Sequence, residues 1–409
     1  MRGVLATQVP VPAEEWGAAE FLVQSRRLAA RGITLRVRTQ VGVAGWERLD
    51  AGARLLLDVM EIDPGARVLD LSCGYGALGM AAACLAGPEG HVDLVDSNLI
   101  AVRLAEANLA ANGIAHARVW LSDGVQALGD IRARYDVVVS NLPVNAGKLV
   151  VAQLCADARH ALRPGGRFCF AGPKAGGIET WIKRVRALFG NAETIAVGKG
   201  HRAALATRDA TPDLREEAPD YYRFRPLVVE VGGERIELIT KPGIFSWDEL
   251  DPATALLLEH LEIAPTDTVL DLGCGYGVIG VVAARWASRG RVYLVDTNCV
   301  AVEAARRSVA HNRLVNAQVI LGDGPAALGD VLCDVIATNP PFHVGRAVEY
   351  DITRRLIEQA HAQLRPGGRL YLVSNIFIPY QRWIAATFGD CEVIARTRSF
   401  QVLRARRQG

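Results

Sequence analysis

Two tandem α/β domains, each a mostly parallel sheet with helices on both faces and a small β-rich segment ahead of it, are what this 409-residue sequence predicts. Three observations carry the prediction. The stretch VLDLSCGYGALG at Val68–Gly79 returns as VLDLGCGYGVIG at Val269–Gly280, and the matches on either side keep their order, so a whole domain is duplicated. Within each copy, short apolar runs rich in β-branched residues alternate with helical stretches, which is the pattern of βαβ units. Between the copies, RDATPDLREEAPD (Arg208–Asp220) carries prolines and charges without apolar periodicity and reads as a linker. The domains are therefore placed at 1–208 and 221–409, with a linker at 209–220.

The first copy opens on a strand-like segment, ITLRVRTQ from Ile33, and continues through ARVLDL, HVDLVD, a helix over Leu99–Ala111, ARVWLSD, YDVVVSN and GRFCFAG. In the second, LVVEVGGERIELIT from Leu227 carries a Gly-Gly hairpin signal. The Arg-Pro-Gly-Gly segments ending at Gly166 and Gly368 fit turns from a helix into the next strand.

A composition of 50% hydrophobic and 22% charged residues predicts globular domains. No apolar run approaches the ~18 residues that span a bilayer, and prolines interrupt the opening MRGVLATQVPVP. A cytoplasmic protein with no membrane partner is expected. The net charge of +2 does not advertise a polyanion, so nucleic-acid contact has to come from local patches. The candidates are Arg26-Arg27, Lys183-Arg184, Lys199 with Arg202, and the tail Arg396–Arg407, although SFQVLRARR in that tail also alternates like a last strand. The eight cysteines form no C-x-x-C pair and read as reduced core residues, with no metal site implied.

The chemistry gathers in the second copy. Its first strand ends at Asp271 and runs into Gly273-Cys-Gly275-Tyr-Gly277, where missing side chains let backbone amides approach a ligand at a helix N-terminus. Asp296 ends the next strand, where a carboxylate can hold ribose hydroxyls. Gly275 to Gly280 also satisfies G-x-G-x-x-G, so a nicotinamide-dependent dehydrogenase stays among the readings. Two features turn the choice toward S-adenosylmethionine: Asp271 beside the loop favours a cationic ligand over a pyrophosphate, and Asn339-Pro-Pro-Phe342 ends the fourth strand, over the edge where such sheets bind ligands.

With Asp271-Leu-Gly-Cys-Gly-Tyr-Gly277, Asp296, Asp323, Asn339-Pro-Pro-Phe-His343 and GIFSWDELDPAT from Gly243, the chain resembles the class I S-adenosylmethionine-dependent methyltransferases, and within them the tandem-domain guanine-N2 ribosomal RNA methyltransferases. The resemblance implies Rossmann-like, seven-stranded domains, S-adenosylmethionine as cofactor and ribosomal RNA or a ribosomal subunit as partner; the duplication itself, which can replace a homodimer by fusing two protomers, makes a monomer the expectation. It also implies residue roles. Asp271, Gly273, Gly275 and Gly277 would cradle the methionine portion, Asp296 the ribose and Asp323 the adenine amino group. Asn339 and Pro340 would accept the N–H bonds of the target amine, Phe342 would stack on the base, and Phe245 and His343 would border the substrate, His343 as a phosphate contact, a proton acceptor or a structural loop residue.

In the first copy, Ser72 replaces the first glycine, and Asn141-Leu-Pro-Val144 replaces the tetrad. Valine cannot stack on a base, so this domain is expected to be a catalytically inactive scaffold and RNA-docking platform, with cofactor binding there left open. Methylation of adenine N6 or of a protein glutamine is the neighbouring alternative, since each offers a planar NH₂ group. A non-catalytic RNA-binding module that binds S-adenosylmethionine is the alternative of another class.

Overall fold

The computed structural model describes residues 23–210, 220–340 and 349–409. Its contacts divide into two compact units between Tyr221 and Tyr222. Tyr221, placed by the sequence at the head of the second domain, falls in the first unit, where its hydroxyl donates to Asp123 at 2.7 Å. At the start of the linker segment, Asp209 is paired to Arg159 at 3.2 Å.

The first unit begins with a hairpin of β1 (Val23–Ala30) and β2 (Ile33–Gln40). Then follow α1 (Ala51–Val59), β3 (Arg67–Leu71), α2 (Ala77–Ala86), β4 (His91–Asp96), α3 (Leu99–Ala111), β5 (Ala117–Leu121), β6 (Tyr135–Asn141), α4 (Lys148–Ala161), β7 (Leu162–Pro173), α5 (Ile178–Phe189), β8 (Glu193–Gly198) and β9 (His201–Thr207). The seven-stranded sheet runs β5-β4-β3-β6-β7-β9-β8, parallel except for β9, which is antiparallel to both of its neighbours.

The second unit repeats this plan. A hairpin of β10 (Arg225–Val231) and β11 (Glu234–Thr240) precedes α6 (Pro252–His260), β12 (Thr268–Leu272), α7 (Val278–Trp286), β13 (Arg291–Asp296), α8 (Cys299–His311), β14 (Ala317–Leu321), β15 (Cys333–Thr338), α9 (Glu349–Gln363), β16 (Leu364–Asn375), α10 (Tyr380–Phe388), β17 (Glu392–Arg396) and β18 (Phe400–Arg406). Its sheet order is β14-β13-β12-β15-β16-β18-β17. The architecture is the one the sequence predicts, down to seven strands per sheet. β1 went unread, because VQSRRLAA lacks clean alternation; its partner β2 and the left-handed turn at Arg31 and Gly32 (φ +50° and +78°) make it a strand.

Alternation along each central strand feeds two cores. Val269 on β12, with Val335 and Ala337 on β15, packs with α6, α7 and α8, whereas Leu270, Leu272 and Ile336 pack on the opposite face with α10. Each of these valine, leucine and isoleucine side chains, buried, contributes about 1.5–3 kcal/mol. The hairpins dock on a helix through side chains that substitute for a neighbouring strand. Asn108 on α3 accepts from Arg38 N at 2.6 Å and donates to Arg38 O at 2.9 Å, while Ser308 on α8 does the same with the backbone of Ile239.

All eight cysteines are free, six of them buried, and the described residues contain no cluster able to hold a metal. Among them no helix is long and apolar enough to cross a membrane. The basic tail forms β18, with Arg404 paired to Glu392 and Glu262, and with Arg406 and Arg407 donating to the carbonyls of Gly367 and Leu364. Those arginines hold the sheet edge together, and Arg202 is likewise paired, to Glu179 at 2.7 Å.

Candidate active site

In the second unit, β12 lies between β13 on one side and β15 on the other, so the chain crosses over at this point and opens a crevice at the strands' C-terminal ends. Asp271, Gly273–Gly277, Asp296, Asp323 and Asn339 all lie along that edge.

The glycine loop is built around two carboxylates. Asp271 is fully buried, and its Oδ2 accepts the N–H of Gly280 in the first turn of α7 at 2.7 Å. Its Oδ1 is buried without a hydrogen-bond partner. Burial pushes the Asp271 carboxyl up to about 7; the Gly280 N–H opposes the shift and the nearby Asp296 charge adds to it. Asp296 takes the N–H of Gly275 on Oδ2 and that of Asn298 on Oδ1, both at 2.9 Å. Burial raises its carboxyl too, against the pull of these backbone donors.

Gly277 caps α7 at φ +88°, and a Cβ there would meet Leu294 at 3.1 Å and Ala305 at 3.2 Å, so the position demands glycine on both counts. Gly280 is tighter still, since a Cβ would lie 2.3 Å from Leu294. Cys274, inside the loop, has its thiol pushed far up by burial and by Asp271 and Asp296. It is a neutral packing group, not a nucleophile.

Asn339 follows β15, which is pinned to β12 by the Thr338 hydroxyl donating to Leu272 O at 2.8 Å. Its Nδ2 donates to Asp251 Oδ2 at 2.9 Å and to Thr254 Oγ1 at 2.8 Å. Asp251 is also the N-cap of α6, accepting from Thr254 N at 2.8 Å and Thr254 Oγ1 at 3.1 Å. A carboxylate accepts only, and the threonine proton is already given to it, so only the NH₂ end of Asn339 can face this pair. The Asn339 Oδ1 is consequently left as a buried acceptor with no donor. The sequence gives no sign that Asp251 and Thr254 are the partners of Asn339; it shows only that the aspartate of Leu-Asp recurs in both copies, at Asp50 and Asp251.

Pro340 is buried next to Asn339, while Phe245 is 65% exposed. Asp323 lies just past β14, after Gly322, whose N–H donates to the Asp296 carbonyl at 3.0 Å, which sets the two acids at neighbouring strand ends. Phe342 and His343 lie outside the described residues.

The first unit keeps this frame. Asp70 Oδ2 accepts from Gly79 N at 2.7 Å, Asp96 accepts from Gly74 and Asn98 at 2.9 Å, and Asn141 Nδ2 donates to Asp50 at 2.9 Å. Ser72 adopts φ +61°, close to the +73° of Gly273, a left-handed geometry that costs a non-glycine residue ~1–2 kcal/mol.

The methyltransferase small domain family matches residues 34–203 and again 235–404. Ribosomal RNA small subunit methyltransferase C of Pseudomonas entomophila is 35% identical over 337 residues, covering 78% of this chain and 99% of that protein. Its counterpart in Pseudomonas paraeruginosa is 34% identical over 325 residues, covering 76% and 94%. Among solved structures, the T. thermophilus 16S rRNA N2 methyltransferase RsmC, in complex with AdoMet and guanosine, matches with a TM-score of 0.79 at 30% identity over 94% of this chain and 98% of that one. With the family's domain present twice and both cofactor-type loops built alike, the chain belongs to the methyltransferase small domain family, in the tandem form of ribosomal RNA small subunit methyltransferase C.

Proposed function

We propose that the second unit transfers a methyl group from S-adenosylmethionine to the exocyclic N2 amino group of a guanine in ribosomal RNA. The observation that carries the reading is Asn339, whose amide nitrogen is fully committed to Asp251 and Thr254 while its oxygen is a buried acceptor in need of an N–H. An unmet buried acceptor costs about 1–3 kcal/mol, and an amino group presented by substrate removes that cost. The names of the relatives, and the AdoMet and guanosine held by the T. thermophilus enzyme, support the same reaction.

The residues fit an adenosyl cofactor. Asp271 Oδ1 is a buried carboxylate oxygen without a donor, suited to a cationic amino group, and Asp296 presents a carboxylate at the end of β13, suited to ribose hydroxyls. Asp323, at the end of β14, would accept the adenine amino group. Held there, the cofactor would supply an electrophilic sulfonium methyl, its neutral thioether would be the leaving group, and the methylated amino group would give up one proton to solvent.

The rest is positioning. The guanine amino nitrogen has its lone pair delocalised into the ring and is a poor nucleophile. The Asn339 oxygen and the Pro340 carbonyl, accepting its two N–H bonds, orient the nitrogen toward the methyl and favour the charge that develops on it. Phe342 stacks on the base once it is drawn from its neighbours, offsetting part of the few kcal/mol that extraction costs. Phe245 and His343 border the substrate. The first unit, with Val144 in place of the aromatic, acts as a non-catalytic scaffold and RNA-docking domain, and the chain works as a cytoplasmic monomer.

The test is incubation with S-adenosylmethionine and unmodified small ribosomal subunits, large subunits or free rRNA, followed by nucleoside mass analysis. N2-methylguanosine formed by the native chain, and lost in Asn339→Ala with cofactor affinity retained, is expected. Methyladenosine, or a methylated glutamine in a ribosomal protein, would overturn the assignment.

A further inference from the structure

The two units differ less at the cofactor loop than their sequences suggest. Asp70, like Asp271, is fully buried with Oδ1 unpartnered, and Asn141, like Asn339, keeps a buried, unpartnered Oδ1. Gly74 and Asn98 bind Asp96 at the same 2.9 Å as their counterparts bind Asp296. The substitution that could have collapsed the loop, Ser72, is absorbed by a left-handed serine.

The difference lies at the end of the fifth strand. Asp123, which corresponds to Asp323, accepts the Tyr221 hydroxyl at 2.7 Å, and Tyr221 is only 5% exposed. A phenol offers this acid what an adenine amino group would: a hydrogen-bond donor at the edge of a flat aromatic ring. Being part of the chain, the ring acts at a high effective concentration.

We propose that the first unit holds a second, fully formed site for an S-adenosyl ligand, closed in the native chain because Tyr221 occupies the adenine position on Asp123. This rests on the reading of Asp323 as the adenine acceptor in the second unit. The native chain therefore takes one equivalent of ligand, and removal of the Tyr221 ring opens a second site that Asp96 and Asp70 complete.

Calorimetric titration of the full-length chain with S-adenosylhomocysteine tests it. One equivalent is expected for the native protein, two for Tyr221→Ala, and one again when Asp96→Ala is added to that variant. Methyl transfer by the second unit should be unchanged in Tyr221→Ala. Should the alanine variant not fold, Tyr221→Leu keeps apolar burial while withdrawing from Asp123, and the same stoichiometries apply. A Tyr221 variant that still binds one equivalent, or a native chain that already binds two, overturns the proposal. A native chain that binds none removes the cofactor reading of the second unit instead, so the two failures are distinguishable.

Discussion

Asn339 and Asp251 are 88 residues apart in the chain and 2.9 Å apart in space, Nδ2 to Oδ2. This contact sets which end of the Asn339 amide is spent on the protein and which is left as a buried acceptor without a donor. Asp251→Asn should break the assignment without breaking the helix, because asparagine caps helices about as well as aspartate. An asparagine at 251 can present its own NH₂ to the Asn339 oxygen, so the amide is free to turn. Turnover on rRNA should fall at least tenfold, about 1.4 kcal/mol of transition-state stabilisation, with S-adenosylhomocysteine affinity and melting temperature nearly unchanged. Thr254→Val, which removes one of the two acceptors, should give a smaller loss in the same direction.

Asp271 and Asp70 make stability depend on pH in an unusual sense. Each carboxyl is raised to about 7 by burial, from an ordinary value of 3.8. The folded state therefore holds these protons where the unfolded state has released them. The stability they supply is complete below pH 4 and is lost as pH rises through 7, on the order of a few kcal/mol per group. Melting curves of the ligand-free chain between pH 5 and 8 should show this decline, and Asp271→Asn should flatten one group's share of it. Because a cationic amino group favours the ionised carboxylate, cofactor binding near pH 7 should release a proton, seen as a buffer-dependent heat that Asp271→Asn abolishes.

Much of this was legible before any coordinates. The duplication, the parallel sheets and the edge carrying Asp271, Asp296 and Asn339 all follow from local pattern, since loop glycines and strand-end acids are short-range features. The partners of Asn339 were not legible in the same way. The bonds that Asn339 donates to Asp251 and Thr254 exist only because β15 and the N-terminus of α6 converge. The same holds for Tyr221, whose hydroxyl reaches Asp123 across 98 residues of chain. The arginine-rich tail, readable from its alternation as a last strand, is that strand, β18, but the partners of Arg404, Arg406 and Arg407 on β16 and β17 and at Glu262 are not revealed by spacing alone.

Of the basic runs, Arg26-Arg27 gains most from the structure. Together with Ser25, Arg36, Val37, Arg38 and Ala111, these arginines line a cleft of about 390 Å³ on the β1–β2 hairpin. Arg27 stands directly opposite Arg36 in the ladder, and like charges so placed destabilise a hairpin by a few tenths of a kcal/mol or more. A phosphate backbone lying in the cleft would offset that cost. Replacing Arg26, Arg27, Arg36 and Arg38 by alanine should leave folding intact while weakening rRNA binding. The slope of log affinity against log salt should become shallower by about 0.7–0.9 for each phosphate contact removed. An unchanged slope would mean the cleft is not a nucleic-acid surface.

Phe342 is the position at which the two copies part most sharply in chemistry, since Val144 stands there in the first. Stacking of a base on an aromatic ring contributes about 1–3 kcal/mol, and nothing in a valine side chain replaces it. Phe342→Val in the second unit should therefore lower kcat/KM for rRNA roughly 5- to 150-fold. S-adenosylhomocysteine affinity should stay at the native value, because the loop around Asp271 and Asp296 is untouched. Phe342→Tyr keeps the ring and should retain most of the activity. If the valine variant lost cofactor affinity in proportion to rate, Phe342 would belong to the cofactor pocket and not to the base-binding face. If it lost neither, extraction of the base would have to be supported elsewhere, with Phe245 the first residue to substitute.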